Sequence, residues 1–342
     1  ENPFVMFEDT VTLAGDLLLE PSGLSGKGRI DLNTAELVSD GFRFLARNII
    51  ADTARFELNS PLSDQLAIST ENVNANVNFD QESGDFYANE DYTLVEFPET
   101  RYISNLNFFS WKIPEETIEM GLSNRGASKL PVGEDGLSGP RYFSLHPQQD
   151  SLNFVSPLAI YDYRAASLKA MDVPFIQVAD SRVFPGDGLV EVESNAKMKQ
   201  LTNAMIVTNY TTQYHKLYNA NVTISGKFDY QASADYDYVD MTGNSQAIHF
   251  NAIRVDTSIQ TVAEGELSVI DSFRLSPFFD YQGKVSLQAE NPFLNFDGAT
   301  RLVHDCAVSR NWLRFESRID PDSVMIPIPE QPLDINRNPI YM

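Results

Sequence analysis

The chain has 342 residues, 42% hydrophobic and 21% charged, with 22 Phe and 14 Tyr, enough apolar material for a packed core and too much for wholesale disorder. Asp and Glu outnumber Lys and Arg by 48 to 25, and the formal net charge of −23 repels a phosphate backbone or an anionic lipid surface, which sets nucleic acid aside as a partner. A lone Cys306 allows no disulfide within the chain, and no apolar run approaches the roughly 20 residues of a membrane helix.

The first third reads as short strands with period-two alternation. Val11, Leu13 and Leu17 to Leu19 lead into Gly23, Gly26 and Gly28, then Ile30 and Leu32, with Asn33 as a break. Ala54, Phe56 and Leu58 alternate with Thr53, Arg55 and Glu57, and Val73, Ala75, Val77 and Phe79 alternate with Asn74, Asn76 and Asn78. One face of each strand is expected in a core and the other in water. Phe108, Phe109, Trp111 and Ile113 form an apolar cluster that packs a core or plugs the end of a sheet.

From Gly121 to Pro147 the chain is rich in Gly, Pro and Ser and loses its periodicity, which suits a surface loop or junction. The expected organisation is therefore a β-repeat block over residues 1–120, a junction over 121–150 and a second β-rich block over 151–342. The best helical candidate, Asn195 to Met205 with Ala196, Met198 and Leu201, is short and holds several Asn.

Beyond it, short strand words are separated by turns, and Asn-Ala recurs at Asn203-Ala204, Asn219-Ala220 and Asn251-Ala252, at separations of 16 and 32 residues. Such recurrence predicts stacked coils, where small residues fit tight corners and Asn forms ladders. The fold class is thus all-β, an elongated stacked-strand, β-solenoid-like architecture, with two packed antiparallel β-sheets as the alternative. Tyr236 to Asp240, a turn carrying Gly243-Asn244, and Ala247 to Phe250 read as strand, turn, strand. Gly283-Lys284-Val285 echoes Gly26-Lys27-Gly28, and Phe56-Glu57 is matched by Phe315-Glu316, a hint of a duplicated module.

Gly23-Leu24-Ser25-Gly26-Lys27-Gly28, Ile50-Ala51-Asp52-Thr53-Ala54-Arg55-Phe56 and Ile176-Gln177-Val178-Ala179-Asp180 resemble parts of the large, mostly uncharacterised exported β-repeat envelope proteins of Bacteroidota. The Gly-rich strand pattern is similar, more distantly, to the AsmA class of envelope proteins, whose long β-grooves carry lipid between membranes. These resemblances imply an exported protein of a bacterial cell envelope, in the periplasm or at the outer surface, and they bring no catalytic residue with them. The Asn209-Tyr210-Thr211 and Asn221-Val222-Thr223 acceptor patterns carry nothing in such a setting.

Polysaccharide hydrolases and lyases on β-helices use paired carboxylates or a bound calcium ion. The tightest acidic cluster here is Asp235, Asp237 and Asp240, but alternation puts Asp235 and Asp237 on a solvated strand face with Tyr236 and Tyr238 opposite, and the Gly turn and closing Glu of a calcium loop are missing. His304-Asp305-Cys306 offers three catalytic residue types, yet strand neighbours point to opposite faces, so a structural thiol is the expectation. Tyr210, Tyr214, Tyr218, Tyr230, Tyr236 and Tyr238 make a candidate sugar-stacking face, with packing on the pleated sheet as the competing explanation. No phosphate loop, dinucleotide fingerprint or zinc spacing occurs, and no cofactor or metal is expected.

The expected function is a non-enzymatic scaffold or interaction surface in a larger envelope protein. A glycan-binding or glycan-degrading protein and an AsmA-like lipid groove are the alternatives. Because the chain opens on Glu1 and closes in a Pro-rich tail, we expect a processed piece of a longer polypeptide whose ends, Asn2 to Phe7 and Val324 to Ile328, meet the remainder of that polypeptide or another envelope protein.

Overall fold

A computed structural model of the chain describes residues 3–7, 11–121, 130–303 and 311–340. Its strands begin with β1 (Phe4–Met6), β2 (Val11–Glu20), β3 (Gly23–Asp31), β4 (Ala35–Phe44), β5 (Asn48–Asn59), β6 (Leu66–Asn78) and β7 (Ser83–Ala88). Next come β8 (Thr93–Phe97), β9 (Tyr102–Leu106), β10 (Phe108–Lys112), β11 (Thr117–Gly121), β12 (Arg141–Ser144), β13 (Asn153–Val155) and β14 (Leu158–Asp162). Then follow β15 (Ser167–Met171), β16 (Ile176–Val178), β17 (Ser181–Phe184), β18 (Val190–Glu193), β19 (Lys197–Met198), β20 (Leu201–Thr208) and β21 (His215–Gly226). The last are β22 (Asp229–Val239), β23 (Ser245–Val255), β24 (Thr261–Leu267), β25 (Arg274–Ser276), β26 (Phe279–Gln288), β27 (Asn295–Leu302) and β28 (Leu313–Arg318). Helix among the described residues amounts to three single 3-10 turns, so the chain is all-β.

Two compact units form: Glu1–Ile176 with Asp187–Lys199, and Gln177–Gly186 with Gln200–Met342. In the first, β1 to β6 follow one another as antiparallel neighbours. β4, β5 and β6 are 10 to 13 residues long, and each breaks its alternation at a pair of exposed residues, Asp40-Gly41, Asp52-Thr53 and Glu71-Asn72. Register shifts fall at Gly26/Gly28 and at Ala51/Ala54, and Asn72 takes φ 55°. These are β-bulges lying side by side, and a bulge bends its strand. The freed backbone groups are taken up by side chains: Ser39 Oγ donates to Thr53 O at 2.7 Å, Thr93 Oγ1 to Glu71 O at 2.7 Å and Asn89 Nδ2 to Asp52 O at 3.0 Å.

At β6 the sheet splits. Residues 73–78 pair with β7 and lead through β10, β11, β14, β15, β18 and β19, whereas Ser69 and Thr70 pair with β8 and lead through β9, β12, β13 and Ile176. The two branches face each other across an aromatic core. Phe97 of β8 meets Tyr161 of β14 at 5.0 Å, and Phe56 meets Phe86 at 4.3 Å and Trp111 at 5.7 Å. The expected apolar cluster thus enters this core, with Phe109 and Trp111 buried. Among the described residues the strand pairing within each unit is antiparallel throughout. Part of the Gly121–Pro147 stretch, residues 122–129, lies outside the described residues. From Leu130 onward it belongs to the first unit, where Arg141 holds Asp135 with two hydrogen bonds of 2.7 and 2.8 Å.

The second unit runs β17, β20, β21, β22, β23, β24, β26, β27 and β28 as antiparallel neighbours, with β25 beside β26. Here the recurrent Asn-Ala pairs find their cause. Asn203 and Asn219 take φ 50° and 51°, and register shifts fall at Leu201/Ala204, Tyr218/Asn221 and Phe250/Ala252. Asn tolerates this left-handed conformation, and the small Ala that follows, buried at Ala204 and Ala220 and exposed at Ala252, fits the bend. The pairs are therefore bulges on strands of one antiparallel sheet rather than corners between coils, and 16 residues is the path from one bulge around a hairpin to the next. The helical candidate Asn195–Met205 is instead a 3-10 turn, Ser194–Ala196, followed by β19 and the start of β20. The Pro-rich tail turns back along its own unit, with Arg314 N donating to Leu333 O at 2.9 Å.

Candidate functional site

The acidic and aromatic residues singled out above lie on β21, β22, β23 and their turns. The hairpin of β22 and β23 forms as expected, with Gly243 at φ 81° in its turn. Asp235 stands opposite His249, and the carboxylate is shared: Oδ1 lies 2.7 Å from His249 Nδ1 and Oδ2 accepts from Asn219 Nδ2 at 3.0 Å. The Asn219 amide first, then His249, hold Asp235 below the usual carboxylate range. Asp237 is exposed and lies near the Tyr218 hydroxyl, whose pKa is raised by burial first and by that carboxylate second. Asp240 is spent on the turn, where Oδ1 accepts from Thr242 Oγ1 at 2.6 Å, Thr242 N at 2.8 Å and Asn244 N at 3.1 Å, the Thr242 hydroxyl contributing most to its lowered pKa.

The tyrosines divide. Tyr230 and Tyr238 are core residues, the phenol of Tyr230 pushed up to about 12 by burial and that of Tyr238 donating to Leu275 O at 2.9 Å. Tyr236 is half-buried against His215 and Phe250. Tyr210 and Tyr214 remain 40% and 48% exposed. Packing therefore accounts for most of the predicted stacking face, and two of its six tyrosines stay well exposed.

Asp235 and His249 alone resemble an orienting acid and a base. No hydroxyl or thiol donates to His249 among the described residues, and its side chain is 62% exposed, so the pair lacks a nucleophile and an enclosed site. His304-Asp305-Cys306 lies outside the described residues. Among those described, no group of three or more His, Cys, Asp or Glu side chains is placed to hold a metal ion.

Two polar centres in the second unit were invisible in the sequence. Asp180 Oδ1 accepts from Thr261 Oγ1 at 2.6 Å, Thr261 N at 3.1 Å and Ser181 Oγ at 3.2 Å, while the Tyr230 hydroxyl sits 2.8 Å from Thr261 Oγ1. These residues are 81 and 31 positions from Thr261, beyond any local pattern. The second centre is His215, fully buried, whose Nε2–H donates to Asn291 O at 2.6 Å while Nδ1 has no hydrogen-bond partner. Burial lowers its pKa, so the folded chain holds a neutral ring. An unfolded histidine protonates near about pH 6.5. The stability this ring contributes is thus complete above that pH and declines on acidification until the folded ring also protonates. Between about pH 7.5 and about pH 5.5 the wild-type chain should lose more stability in urea melts than His215→Leu, and parallel pH slopes would contradict the assignment.

The first unit contains an open cleft of about 390 Å³ lined by Phe7, Val11, Leu32, Val77, Phe79 and Ile113, with Arg47 and Glu82 among its polar residues. Phe7 stacks on Phe79 at 4.4 Å. Among the described residues no helix is long and apolar enough to cross a membrane. No protein-family model matches the chain, and no curated protein matches it. Fold and site together define an all-β protein of bent antiparallel strands.

Proposed function

We propose that the chain is a non-enzymatic structural or binding segment of a larger exported bacterial cell-envelope protein, a scaffold or interaction surface whose partners are other envelope proteins or the remainder of the same polypeptide. The observation that carries this reading is the commitment of Asp235 and Asp240. Both oxygens of Asp235 are held by Asn219 and His249, and Oδ1 of Asp240 by Thr242 and Asn244, contacts that brace strands and a turn. An elongated stack of strands, continued by further modules, is part of the same proposal.

The test is a panel of polysaccharides incubated with the purified chain. No reducing sugar should be released, and Asp235→Ala and Asp237→Ala should each shift stability by less than about 1 kcal/mol, as exposed or half-exposed polar contacts do. Cleavage of one panel member, abolished by either substitution, would overturn the proposal in favour of a glycan hydrolase or lyase. The exposed Tyr210 and Tyr214 support glycan binding without cleavage as a variant of the same reading. A second reading, a lipid-carrying groove, draws its support from the open cleft of the first unit, whose lining is part apolar and part polar.

A further inference from the structure

β2 is paired along only part of one side. β1 covers Val11 to Leu13 and stops at Phe4, preceded by Pro3, which has no N–H to extend the ladder. From Ala14 to Glu20 the side of β2 turned away from β3 has no strand partner among the described residues, while β3 pairs with every one of these positions on the other side. The edge is therefore fully formed. Its centre is Leu17-Leu18-Leu19, with Leu18 at 55% and Leu19 at 79% exposure. Protein edges are ordinarily blunted by charge, proline or a bulge, and none of these interrupts the three leucines.

We propose that this edge pairs with the same edge of a second copy, antiparallel about a two-fold axis through Leu17. The free segment is seven residues long, bounded by β1 at one end and by the Pro21-Ser22 turn at the other, and Leu17 is its midpoint. An axis there uses the whole of both edges. Residues of one face must oppose residues of the same face, so the axis passes through a residue and the permitted registers are few. With the axis at Leu17, Leu17 meets Leu17, Asp16 meets Leu18, Gly15 meets Leu19 and Ala14 meets Glu20. With the axis at Leu18, Asp16 would face Glu20 twice, a like-charge contact in a chain of net charge −23. A two-fold pairing is closed, so association stops at the dimer. The strip is short, which places the dissociation constant in roughly the micromolar range. This inference does not depend on the scaffold reading.

Sedimentation velocity of the 342-residue chain from about 1 to about 200 µM spans that range and tests the proposal. A monomer–dimer equilibrium is expected. Leu17→Lys, which sets two ammonium groups against each other, should raise the dissociation constant at least about tenfold while leaving the thermal melt of the dilute chain unchanged. In a Cys306→Ser background, Leu17→Cys should oxidise to a covalent dimer and Leu18→Cys should not. A monomer throughout would assign the edge to a strand from another protein and overturn the proposal. So would a dimer indifferent to Leu17→Lys, preferential cross-linking of Leu18→Cys, or open-ended growth into larger assemblies.

Discussion

Gly283→Ala is expected to destabilise the second unit by about 3 kcal/mol or more, the combined size of a strained backbone and an overfilled core. Gly283 of β26 lies opposite Gly298 of β27 with φ 141°, a conformation that residues with a Cβ avoid. An added Cβ would sit 2.4 Å from the Gly298 Cα and 2.7 Å from Asp297 O, both backbone atoms that cannot swing aside. The nearby Tyr281 hydroxyl, donating to Lys284 O at 2.6 Å, closes the remaining space. Gly243→Ala is the control: that glycine also has positive φ, 81°, but nothing lies within 4 Å of its added Cβ, so strain acts alone. Urea unfolding of both variants should rank Gly283→Ala as much the worse. Equal losses would mean that the close approach of the two glycines contributes nothing.

Phe56→Ala should remove about 3–5 kcal/mol from the first unit, the usual cost of emptying a large aromatic site. The ring is fully buried on β5 and meets Phe86, Trp111 and Phe109 at 4.3, 5.7 and 6.1 Å. It joins the bent strands to the branch that carries β7 and β10, so the cavity cannot close by moving one strand. Phe56→Leu keeps most of the volume and should cost less than about 2 kcal/mol. Trp111 reports the event directly. With Trp312 replaced by Phe, the remaining tryptophan follows the first unit alone, since the chain has 2 Trp. A Phe56→Ala variant that unfolds at the wild-type urea midpoint would show that the aromatic cluster is not the core of that unit.

Strand content was legible because alternation is local: Ala54, Phe56 and Leu58 point inward from β5 as their spacing requires, and Gly243-Asn244 makes its hairpin turn. The bulges were legible only as an unexplained recurrence. Asn203, Asn219 and Asn251 each interrupt alternation by one residue, and sequence alone does not distinguish a bulge from the corner of a coil, because both place Asn before a small residue at a bend. The helical reading of Asn195 to Met205 failed for a related reason. Its apolar spacing is shared by a turn and two short strands, and antiparallel pairing decides between them. At the candidate site, the solvated face of Asp237 and the turn role of Asp240 follow from adjacent residues. The partnership of Asp235 with Asn219 and His249 depends on two registers, each set by a bulge, and could not be read in advance.

A pair of engineered disulfides across the bulge of β23, in a Cys306→Ser background, tests the bending of these strands most directly. Phe250 pairs with Gly265, but beyond the bulge Ala252 pairs with Glu264, whereas an unbroken ladder would place Asn251 there. Both Ala252 and Glu264 are exposed, so cysteines are accommodated at either position. Ala252→Cys with Glu264→Cys should oxidise to an intrachain disulfide and raise the urea midpoint. Arg254→Cys with Val262→Cys, opposite each other only in the ladder shifted by the bulge, should close as well. Failure of both pairs to close would contradict the column of bulges that bends these strands.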